Sequence, residues 1–280
     1  MVKPRGWLEW EPEQARNWIA VPSETDDKYS RGVLGMHTGS ENYPGAAVLG
    51  VEGAMRAGVG MIRFLGPRRA AALVLQRRPE VVMVPGQVQA WLLGSGMNAD
   101  ERDSVTDAAL DHALAQELPN VLDAGALDFA HHSGGPTVIT PHYRELATLL
   151  TNRGKQVNVD QVASAPAEWA IKAAKHLGVT VLLKGSATHI ASPNGARLVV
   201  SGTTDWLATA GTGDVLAGIL GALVATHSAQ VKADPDTLAA LAATAALVQG
   251  NAAVIASGGG PIAALDVAEA VPAAIAALLA

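Results

Sequence analysis

The chain has 280 residues, of which 49% are hydrophobic and 16% charged, with 29 glycines, no cysteine and a formal net charge of −6. This composition is typical of a compact enzyme with many short turns, and it excludes a disordered or fibrous protein and any disulfide or thiolate chemistry. The negative charge also argues against a nucleic-acid-binding surface, which depends on clustered lysines and arginines, so we expect small molecules as partners.

The N-terminal stretch MVKPRGWLEWEPEQARNW carries charges throughout and lacks the apolar core of a secretory signal. No stretch of the sequence reaches the roughly 20 uninterrupted apolar residues that cross a bilayer, although the alanine-rich C-terminal region comes nearest. We therefore expect a cytoplasmic protein.

From about residue 46, short aliphatic runs alternate with helical stretches, a pattern that predicts a mostly parallel sheet covered by helices on both faces. The predicted strands are residues 61–65, 81–84, 90–94, 120–124, 137–140 and 180–184. The predicted helices between them are residues 46–57, 102–117, 143–151 and 161–177.

The pattern changes after Lys184, where THIASPNGARLVVS predicts two short strands joined by a tight turn at SPNG. A helix is predicted from about Asp214 to Thr226, because aliphatic residues recur there at helical spacing. Two further helices are predicted in PDTLAALAATAALVQGNAAVIAS and LDVAEAVPAAIAALLA, whose small residues suit close packing on the core or on a partner subunit.

Five small, polar or glycine-rich segments follow the predicted strands or open the helix at Asp214. They are GSGMN at 94–98, DAGALD at 123–128, TPHYRE at 140–145, KGSAT at 184–188 and AGTGD at 210–214. Because ligands bind beyond the carboxyl ends of the strands in open α/β sheets, these segments predict a phosphate-rich ligand at that edge. Neither a Gly-x-Gly-x-x-Gly nor a Gly-x-x-x-x-Gly-Lys-Ser/Thr motif is present, which argues against a Rossmann dinucleotide site or a P-loop.

The carboxylate of Asp214, within TTDWLATAGTGDVLAGILGAL at 203–223, allows two interpretations. The backbone N–H groups at the start of a helix have no intrahelical partners and attract anions, so Asp214 is either a base beside a bound phosphate or an N-cap of the helix. These residues alone leave both interpretations open.

Three further side chains are candidates for a site. Lys184 ends an apolar strand and is either solvated or near a ligand, and Gly185 after it permits a close approach of the ligand to the backbone. His142 either caps the next helix or contacts a ligand. His37 has no second metal-binding side chain at a recognised spacing and is left without a role.

The sequence resembles the ADP-dependent NAD(P)H-hydrate dehydratases, a branch of the ribokinase-like superfamily, over roughly residues 28–226. The segments that carry the resemblance are YPGAAVLG (43–50), GSGMN, LDAGAL (122–127), TPHYREL (140–146), KGSATHIASPNG (184–195) and LATAGTGDVLAGIL (207–220). The chain departs from the family's common pattern in TPHYRE, where Pro-Gly is usual before the Glu, and in GSGMN, where Gly-Pro-Gly is usual. The resemblance implies a three-layer ribokinase-like fold, a single dehydratase domain over residues 1–280, and no epimerase domain.

By the same resemblance, the protein repairs the S form of hydrated NADH or NADPH, using ADP or ATP to phosphorylate the ring hydroxyl before phosphate is eliminated. The residues implied to contact the hydrated cofactor are Ala46, Gly96, His142 and Asp214, and those implied to contact the nucleotide are Lys184, Gly185, Ser186, Ala187, Thr188 and Gly213. Asp214 would be the catalytic base, and the N–H groups of Thr212, Gly213 and Asp214 would form an anion hole. Mg²⁺ would neutralise the nucleotide phosphates, without a protein ligand that the sequence identifies, and a homo-oligomer is expected, with a tetramer favoured.

Two other functions remain possible at this stage. A small-molecule kinase of the same superfamily, acting on a vitamin precursor or a sugar, would use the same anion hole and Asp214, and it would release a stable phosphorylated product. A nucleotide-binding sensor without catalytic activity would use Asp214 as a helix cap only.

Overall fold

Nine strands form one sheet in the computed structural model, which describes residues 6–280. The strands are β1 Leu8–Glu9, β2 Val33–His37, β3 Met61–Phe64, β4 Ala90–Leu93, β5 Asn120–Leu122, β6 Thr137–Ile139, β7 Thr180–Leu183, β8 Thr188–Ala191 and β9 Arg197–Val200. Their order in the sheet is β1-β9-β8-β7-β6-β5-β4-β2-β3. All neighbouring pairs are parallel except β7 with β8 and β8 with β9, so the mostly parallel sheet is confirmed.

Helices cover both faces of this sheet. They are α1 Pro12–Ala15, α2 Pro44–Arg56, α3 Arg68–Arg77, α4 Ser104–Leu114, α5 Tyr143–Asn152, α6 Val159–Ser164, α7 Pro166–Leu177, α8 Thr212–Thr226, α9 Ser228–Ala233, α10 Thr237–Ser257 and α11 Ala264–Leu279. Leu34 and Met36 of β2 share one core cluster with α2, α8, α10 and α11, whereas Val33 belongs to a second cluster with α4, α5 and α7. This alternation is expected of a strand that is buried on both faces.

The contact between α2 and α8 fixes the start of α8 relative to the sheet. A Cβ atom on Gly218 would overlap the carbonyl oxygen of Gly50, and one on Gly53 would lie 3.2 Å from the carbonyl carbon of Val215. Because these glycines lack side chains, the two helix backbones touch each other. The first turn of α8 therefore lies beside the middle of α2, near Gly50 and Gly53.

The helix α10 is long and apolar enough to cross a membrane by length and composition, but 78% of its most apolar window is buried inside the fold. It packs between α8 and α11 in the first core cluster. Such burial is typical of the central helix of a layered α/β fold.

A buried ion network joins α2 to α3. The carboxylate of Glu52, whose side chain is fully buried, accepts hydrogen bonds from Arg56 (2.8 Å), Arg77 (3.1 Å) and Arg78 (2.5 and 2.8 Å). Burial alone would raise the pKa of Glu52, but the hydrogen bonds and charges of the three arginines outweigh it and lower the pKa to about 2.

Two predicted elements differ from the structure. Residues 81–84 are not a strand, because only Val82 bridges to Arg63, while Pro85 supplies no N–H and Val84 is exposed. The helix predicted at 161–177 is two helices, α6 and α7. Pro166 begins α7 and keeps the preceding residue, Ala165, out of the helical region at φ −143° and ψ 55°.

The sequence pattern predicts neither β2, which lies between β3 and β4 in the sheet, nor the helix α3. Gly35 interrupts the apolar run of β2 and hides its strand character. Trp91 of β4 requires this glycine, because its ring occupies the space that a Cβ atom would take. The predicted hairpin is confirmed, since β8 and β9 pair in antiparallel register around residues 192–195.

Candidate functional site

The carboxyl ends of β4 to β7 bring three of the predicted segments to one edge of the sheet. Asp123 continues β5 by donating its N–H to Leu93 O, and Lys184 continues β7 by donating its N–H to Pro141 O. The backbone of Lys184 also forms a parallel β-bridge with His142. Segments that are distant in sequence therefore meet where the sheet ends, as the strand pattern predicts.

The centre of this edge is an ion pair between Lys184 and Asp123. Lys184 Nζ donates to Asp123 Oδ1 at 3.0 Å and lies 3.9 Å from Glu145 Oε2. The buried carboxylate of Asp123 also accepts hydrogen bonds from Ser95 Oγ (3.0 Å) and Thr140 Oγ1 (2.7 Å). Asp123 is thus fully partnered and fixes the lysine in place.

Asp123 lies in the predicted polar segment DAGALD, but the sequence indicates no role for it. The only available signal was its position directly after an apolar strand, which it shares with Lys184. Glu145 likewise had no predicted role, although it belongs to the polar segment TPHYRE. Both carboxylates belong to the charged cluster at the site.

Asp214 and Lys184 shift each other's pKa in this cluster. Burial raises the pKa of Asp214 to about 7, supported by the negative charges of Asp123 and Glu145 and opposed by Lys184. Burial would lower the pKa of Lys184, but Asp123, Glu145 and Asp214 outweigh it and the pKa is raised. The lysine therefore stays protonated, while Asp214 can exchange a proton near neutral pH.

The helix α8 begins at Thr212, two residues before the predicted start, with Gly211 as its N-cap at φ 90° and ψ −11°. Asp214 is consequently the third residue of the helix, and its interpretation as the N-cap is wrong. Within residues 6–280 the N–H groups of Thr212, Gly213 and Asp214 make no hydrogen bond, whereas the N–H of Val215 donates to Gly211 O. Three donors at a helix start are thus available to an anion.

A cavity of about 430 Å³ lies beside these donors, and we call it the nucleotide cavity after the residues that the resemblance assigns to a nucleotide. It is lined by His142, Lys184, Gly185, Ser186, Thr188, Val200, Thr203, Thr204, Asp205, Leu207, Ala208, Thr212, Gly213, Leu216, Ala246 and Gln249. Of the residues assigned to the nucleotide by resemblance, only Ala187 is absent from this lining, because its side chain is buried in the second core cluster. The other five surround one space.

Gly185 is required for a reason that differs from the sequence interpretation. A Cβ atom at this position would overlap the hydroxyl group of Tyr143 and lie 2.6 Å from its Cζ atom. Tyr143, and not a ligand, occupies the space that the glycine leaves open. Burial raises the pKa of the Tyr143 hydroxyl, in keeping with its packed position.

A second cavity of about 730 Å³ shares His142 with the nucleotide cavity, and we call it the substrate cavity after the residues that the resemblance assigns to the substrate. It is lined by Tyr43, Gly96, Met97, Asn98, Ala99, Asp100, Ala124, Gly125, Leu127, Asp128, His142, Arg144, Glu145, Thr148, Leu149 and Asn152. Ala46 lies just behind this wall, and a Cβ atom on Gly96 (φ +68°) would overlap the Cβ atom of Ala46. Ala46 and Gly96, which the resemblance assigns to the substrate, therefore meet at this cavity.

His142 caps α5, and its ring also borders both cavities. Its Nδ1 accepts a hydrogen bond from the N–H of Glu145 at 3.2 Å, and Glu145 Oε2 accepts one from the N–H of His142 at 2.7 Å. The capping interpretation is correct. Because the side chain is 51% exposed, its Nε2 face remains accessible from the cavities.

His37 lies apart from this cluster. It lines a third cavity of about 570 Å³ with Arg68, and burial lowers its pKa to about 4. In the part of the chain that the structure describes, no group of three or more His, Asp or Glu side chains is arranged to hold a metal ion. A divalent cation at the site would therefore depend on phosphate oxygens and water for most of its ligands.

The sequence profile described as NAD(P)H-hydrate dehydratase matches residues 34–272. The bifunctional NAD(P)H-hydrate repair enzyme of Mycobacterium tuberculosis strain H37Rv is 42% identical over 224 residues, which are 76% of this chain and 44% of that protein. The ADP-dependent (S)-NAD(P)H-hydrate dehydratase of Xanthomonas campestris is 31% identical over 228 residues, 73% of this chain and 76% of that protein. The chain spans about half the length of the bifunctional relatives it matches.

Solved structures show the same fold. The ADP/ATP-dependent NAD(P)H-hydrate dehydratase of Bacillus subtilis, co-crystallised with ATP and Mg²⁺, superimposes with a TM-score of 0.84 at 25% identity, covering 98% of this chain and 100% of that chain. A ribokinase-like superfamily protein of Enterococcus faecalis gives a TM-score of 0.80 at 20% identity, covering 99% and 98%. The ribokinase-like fold expected from the sequence is confirmed.

Proposed function

The chain belongs to the NAD(P)H-hydrate dehydratase family, and we propose that it converts the S form of hydrated NADH or NADPH back to NADH or NADPH with ADP or ATP. The observation that carries this proposal is the position of Asp214. Its carboxylate has a pKa of about 7 because burial and nearby carboxylates raise it, and it lies beside three free N–H donors at the start of α8.

The reaction begins with phosphoryl transfer from the nucleotide to the hydroxyl group of the hydrated ring. Asp214 accepts the hydroxyl proton as the new O–P bond forms and the bond to the departing nucleotide breaks. A base with a pKa near the working pH suits this task, because it is partly deprotonated yet still basic enough to take the proton. Phosphate then leaves with the ring oxygen, a proton leaves the neighbouring carbon, and the reduced nicotinamide double bond is restored.

Lys184 and the start of α8 supply positive potential for the transferred group. The N–H groups of Thr212, Gly213 and Asp214 would donate to the phosphoryl oxygens, and Lys184 Nζ lies 3.4 Å from where a Cβ atom on Gly213 would stand. A side chain at Gly213 would crowd the ammonium group. Charge that develops in the transition state is stabilised most by donors that are already oriented, as Lys184 is by Asp123.

Mg²⁺ fits this site as a partner of the nucleotide. The cluster of Asp123, Glu145 and Asp214 surrounds the lysine, and it does not form a carboxylate cage among the described residues. Bound to the nucleotide phosphates, Mg²⁺ would neutralise their negative charge. The B. subtilis relative co-crystallised with ATP and Mg²⁺ supports the same choice of cation and nucleotide.

The assembly and setting of the protein are also proposals. A homo-oligomer, with a tetramer favoured, is supported by Val254 and Ile255, which leave about half of their side-chain area exposed side by side on α10. We propose a single dehydratase domain that acts in the cytoplasm, and one continuous sheet over the described residues supports the single domain.

One assay tests the proposed activity. The protein is incubated with hydrated NADH, Mg²⁺ and ADP or ATP, and the near-ultraviolet absorbance of the reduced nicotinamide is followed together with phosphate release. We expect absorbance and phosphate to rise in equal amounts, and the Asp214→Asn variant to serve as the inactive control. Nucleotide consumption with a stable phosphorylated product would instead identify a kinase, and absence of turnover with either nucleotide would refute the dehydratase.

A further inference from the structure

The substrate cavity is lined by a single lysine or arginine, Arg144. Arg144 is exposed, and within residues 6–280 its guanidinium group makes no hydrogen bond and no ion pair. Its own helix does not neutralise it, since Glu145 bonds the N–H of His142 and lies near Lys184. The group is therefore available to an anionic ligand.

Two other arginines contact Asp128 of the lining, and both are already engaged. Arg153 donates to Asp128 O at 2.9 Å. Arg102 pairs with Asp107 Oδ1 at 2.8 Å and with Asp128 Oδ2 at 2.7 Å. Asp128, which lines the cavity, is thereby neutralised. Asp100 is the remaining unpaired carboxylate of the lining, and it forms no ion pair with Arg144. Arg144 alone offers an unpaired positive charge to the cavity.

The backbone of Arg144 has a fixed position relative to the reacting groups. It lies in the first turn of α5, which the reciprocal hydrogen bonds of His142 and Glu145 hold rigidly. Glu145 Oε2 lies 3.9 Å from Lys184 Nζ, so Arg144 directly precedes a residue of the charged cluster. A ligand whose reacting ring lies between Gly96 and His142 would have Arg144 on the wall of the same cavity.

We propose that Arg144 binds a phosphate group of the dinucleotide substrate, either its pyrophosphate or the 2′-phosphate of the NADPH form. The proposal rests on the proposed function, because that function supplies the dinucleotide. A guanidinium group binds phosphate through two parallel N–H donors, and here no existing ion pair has to break. Arg144 would thus select substrates that carry phosphate beyond the nicotinamide ring.

The test compares Arg144→Ala with Arg68→Ala as a matched control. Arg68 is also exposed and unpaired within the described residues, but it lines the neighbouring cavity of His37, whose lining shares only Met97 and Asn98 with that of the substrate cavity. Binding of the stable products NADH and NADPH is measured by calorimetry, together with KM for the hydrated substrates and for ADP. We expect Arg144→Ala to weaken at least one dinucleotide about tenfold or more, with ADP and the control changed less than about twofold. Arg144→Lys should retain part of the affinity.

The outcomes distinguish a contact with the pyrophosphate from one with the 2′-phosphate. They also test the role of Arg144 separately from the proposed dehydratase activity. A loss for NADH and NADPH alike supports a contact with the pyrophosphate, and a loss for NADPH alone supports the 2′-phosphate. Unchanged dinucleotide binding, an equal loss in Arg68→Ala, or an equal loss for ADP overturns the role of Arg144. Because product binding needs no turnover, a wild-type protein that binds NADPH but has no dehydratase activity would refute the proposed function and leave this inference standing.

Discussion

Lys184 Nζ lies 3.0 Å from Asp123 Oδ1, although 61 residues separate the two in sequence. The pair joins the ends of β5 and β7 across the intervening β6. The pair holds the ammonium group of Lys184 in the lining of the nucleotide cavity, and the carboxylate of Asp123 balances the charge of this ammonium group. Each partner therefore influences both the stability of the fold and the chemistry of the site.

Removing the lysine should weaken nucleotide binding and also destabilise the fold. In Lys184→Ala we expect nucleotide affinity to fall by about 1.5–3 kcal/mol, because a charge-assisted contact to phosphate is lost. The free energy of unfolding should fall by about 3 kcal/mol, since Asp123 becomes a buried carboxylate without a counter-ion. Calorimetry with ADP and urea denaturation measure the two effects.

The double variant Lys184→Ala/Asp123→Asn separates these effects. Asparagine removes the unpaired charge, so stability should recover most of the loss while nucleotide affinity stays low. Recovery of both quantities would show that Lys184 acts only by stabilising Asp123, and equal ADP affinity in wild type and Lys184→Ala would exclude a contact with phosphate.

Replacing Asp123 alone should move the pH dependence of turnover. The pKa of Asp214 is raised to about 7. Burial is the largest cause of this rise, and the negative charge of Asp123 is the second largest. In Asp123→Asn this repulsion is absent, so the pKa of Asp214 falls and the acid limb of the kcat profile moves to lower pH. Profiles between pH 5 and 9 test the direction, with Asp205→Asn at the rim of the nucleotide cavity as control. If the acid limb of the kcat profile of Asp123→Asn stays in place or moves to higher pH, the assignment of Asp214 as the titrating base is contradicted.

Local patterns predicted most elements but not the way in which they meet. The strands β3 to β7 are recognisable in the sequence because each is a short, mostly apolar run without glycine. Gly35 conceals β2, and only Trp91 on the neighbouring strand explains this glycine. The pairing of Asp123 with Lys184 depends on strand order, which no local spacing encodes. A sequence pattern locates the start of a helix only to within one or two residues. This difference matters for α8, because its start at Thr212 and not at Asp214 means that Asp214 is not the N-cap.

The glycine at position 185 should tolerate no side chain while Tyr143 is present. We expect Gly185→Ala to raise KM for ADP about tenfold, because the new methyl group displaces the Tyr143 ring and with it the neighbouring His142 and Lys184. The double variant Gly185→Ala/Tyr143→Ala removes the overlap and should bind ADP nearly as Tyr143→Ala does. If the double variant is as weak as Gly185→Ala, the glycine is needed for the ligand itself.

Away from the site, Glu52 should be a major stabilising residue with a defined pH window. Its pKa is lowered from the usual 4.5 to about 2, so its contribution is fully present above about pH 4.5 and is lost as the pH falls toward 2. At pH 7, Glu52→Gln should lower the free energy of unfolding by about 3–5 kcal/mol, because three arginines lose a buried partner. The difference in the free energy of unfolding between Glu52→Gln and wild type should be smaller at pH 3 than at pH 7.

Glu269 provides the control for this network. It bonds Arg77 at 2.6 Å, but 47% of its side chain is exposed, so Glu269→Gln should cost less than about 1 kcal/mol. Urea denaturation at both pH values gives the comparison. Equal losses of unfolding free energy in Glu52→Gln and Glu269→Gln would show that burial of the Glu52 carboxylate does not increase its contribution to stability.

The strongest test of the site is Asp214→Asn, because it separates loss of a base from loss of structure. Asparagine keeps the size of the side chain, and the N–H donors of Thr212 to Asp214 are backbone groups, so ADP affinity should stay within a few-fold of wild type. Turnover of hydrated NADH should fall about 100- to 10,000-fold, the usual effect of removing a general base. Turnover within a few-fold of wild type would remove Asp214 from the catalytic role.

The stability of the same variant gives an independent measurement. The folded-state pKa of Asp214 is raised from 3.8 to about 7, so the protonated group favours folding at low pH, and this contribution is lost as the pH rises through 7. Asparagine carries no charge at any pH, so the melting temperature of Asp214→Asn should match wild type near pH 4 and exceed it at pH 8. The favourable helix dipole at this position opposes the effect, but burial and Asp123 outweigh it, as the direction of the pKa shift requires. A variant that melts below wild type at pH 8 would show that the ionised carboxylate stabilises the fold, and a base poised near neutral pH would then be untenable.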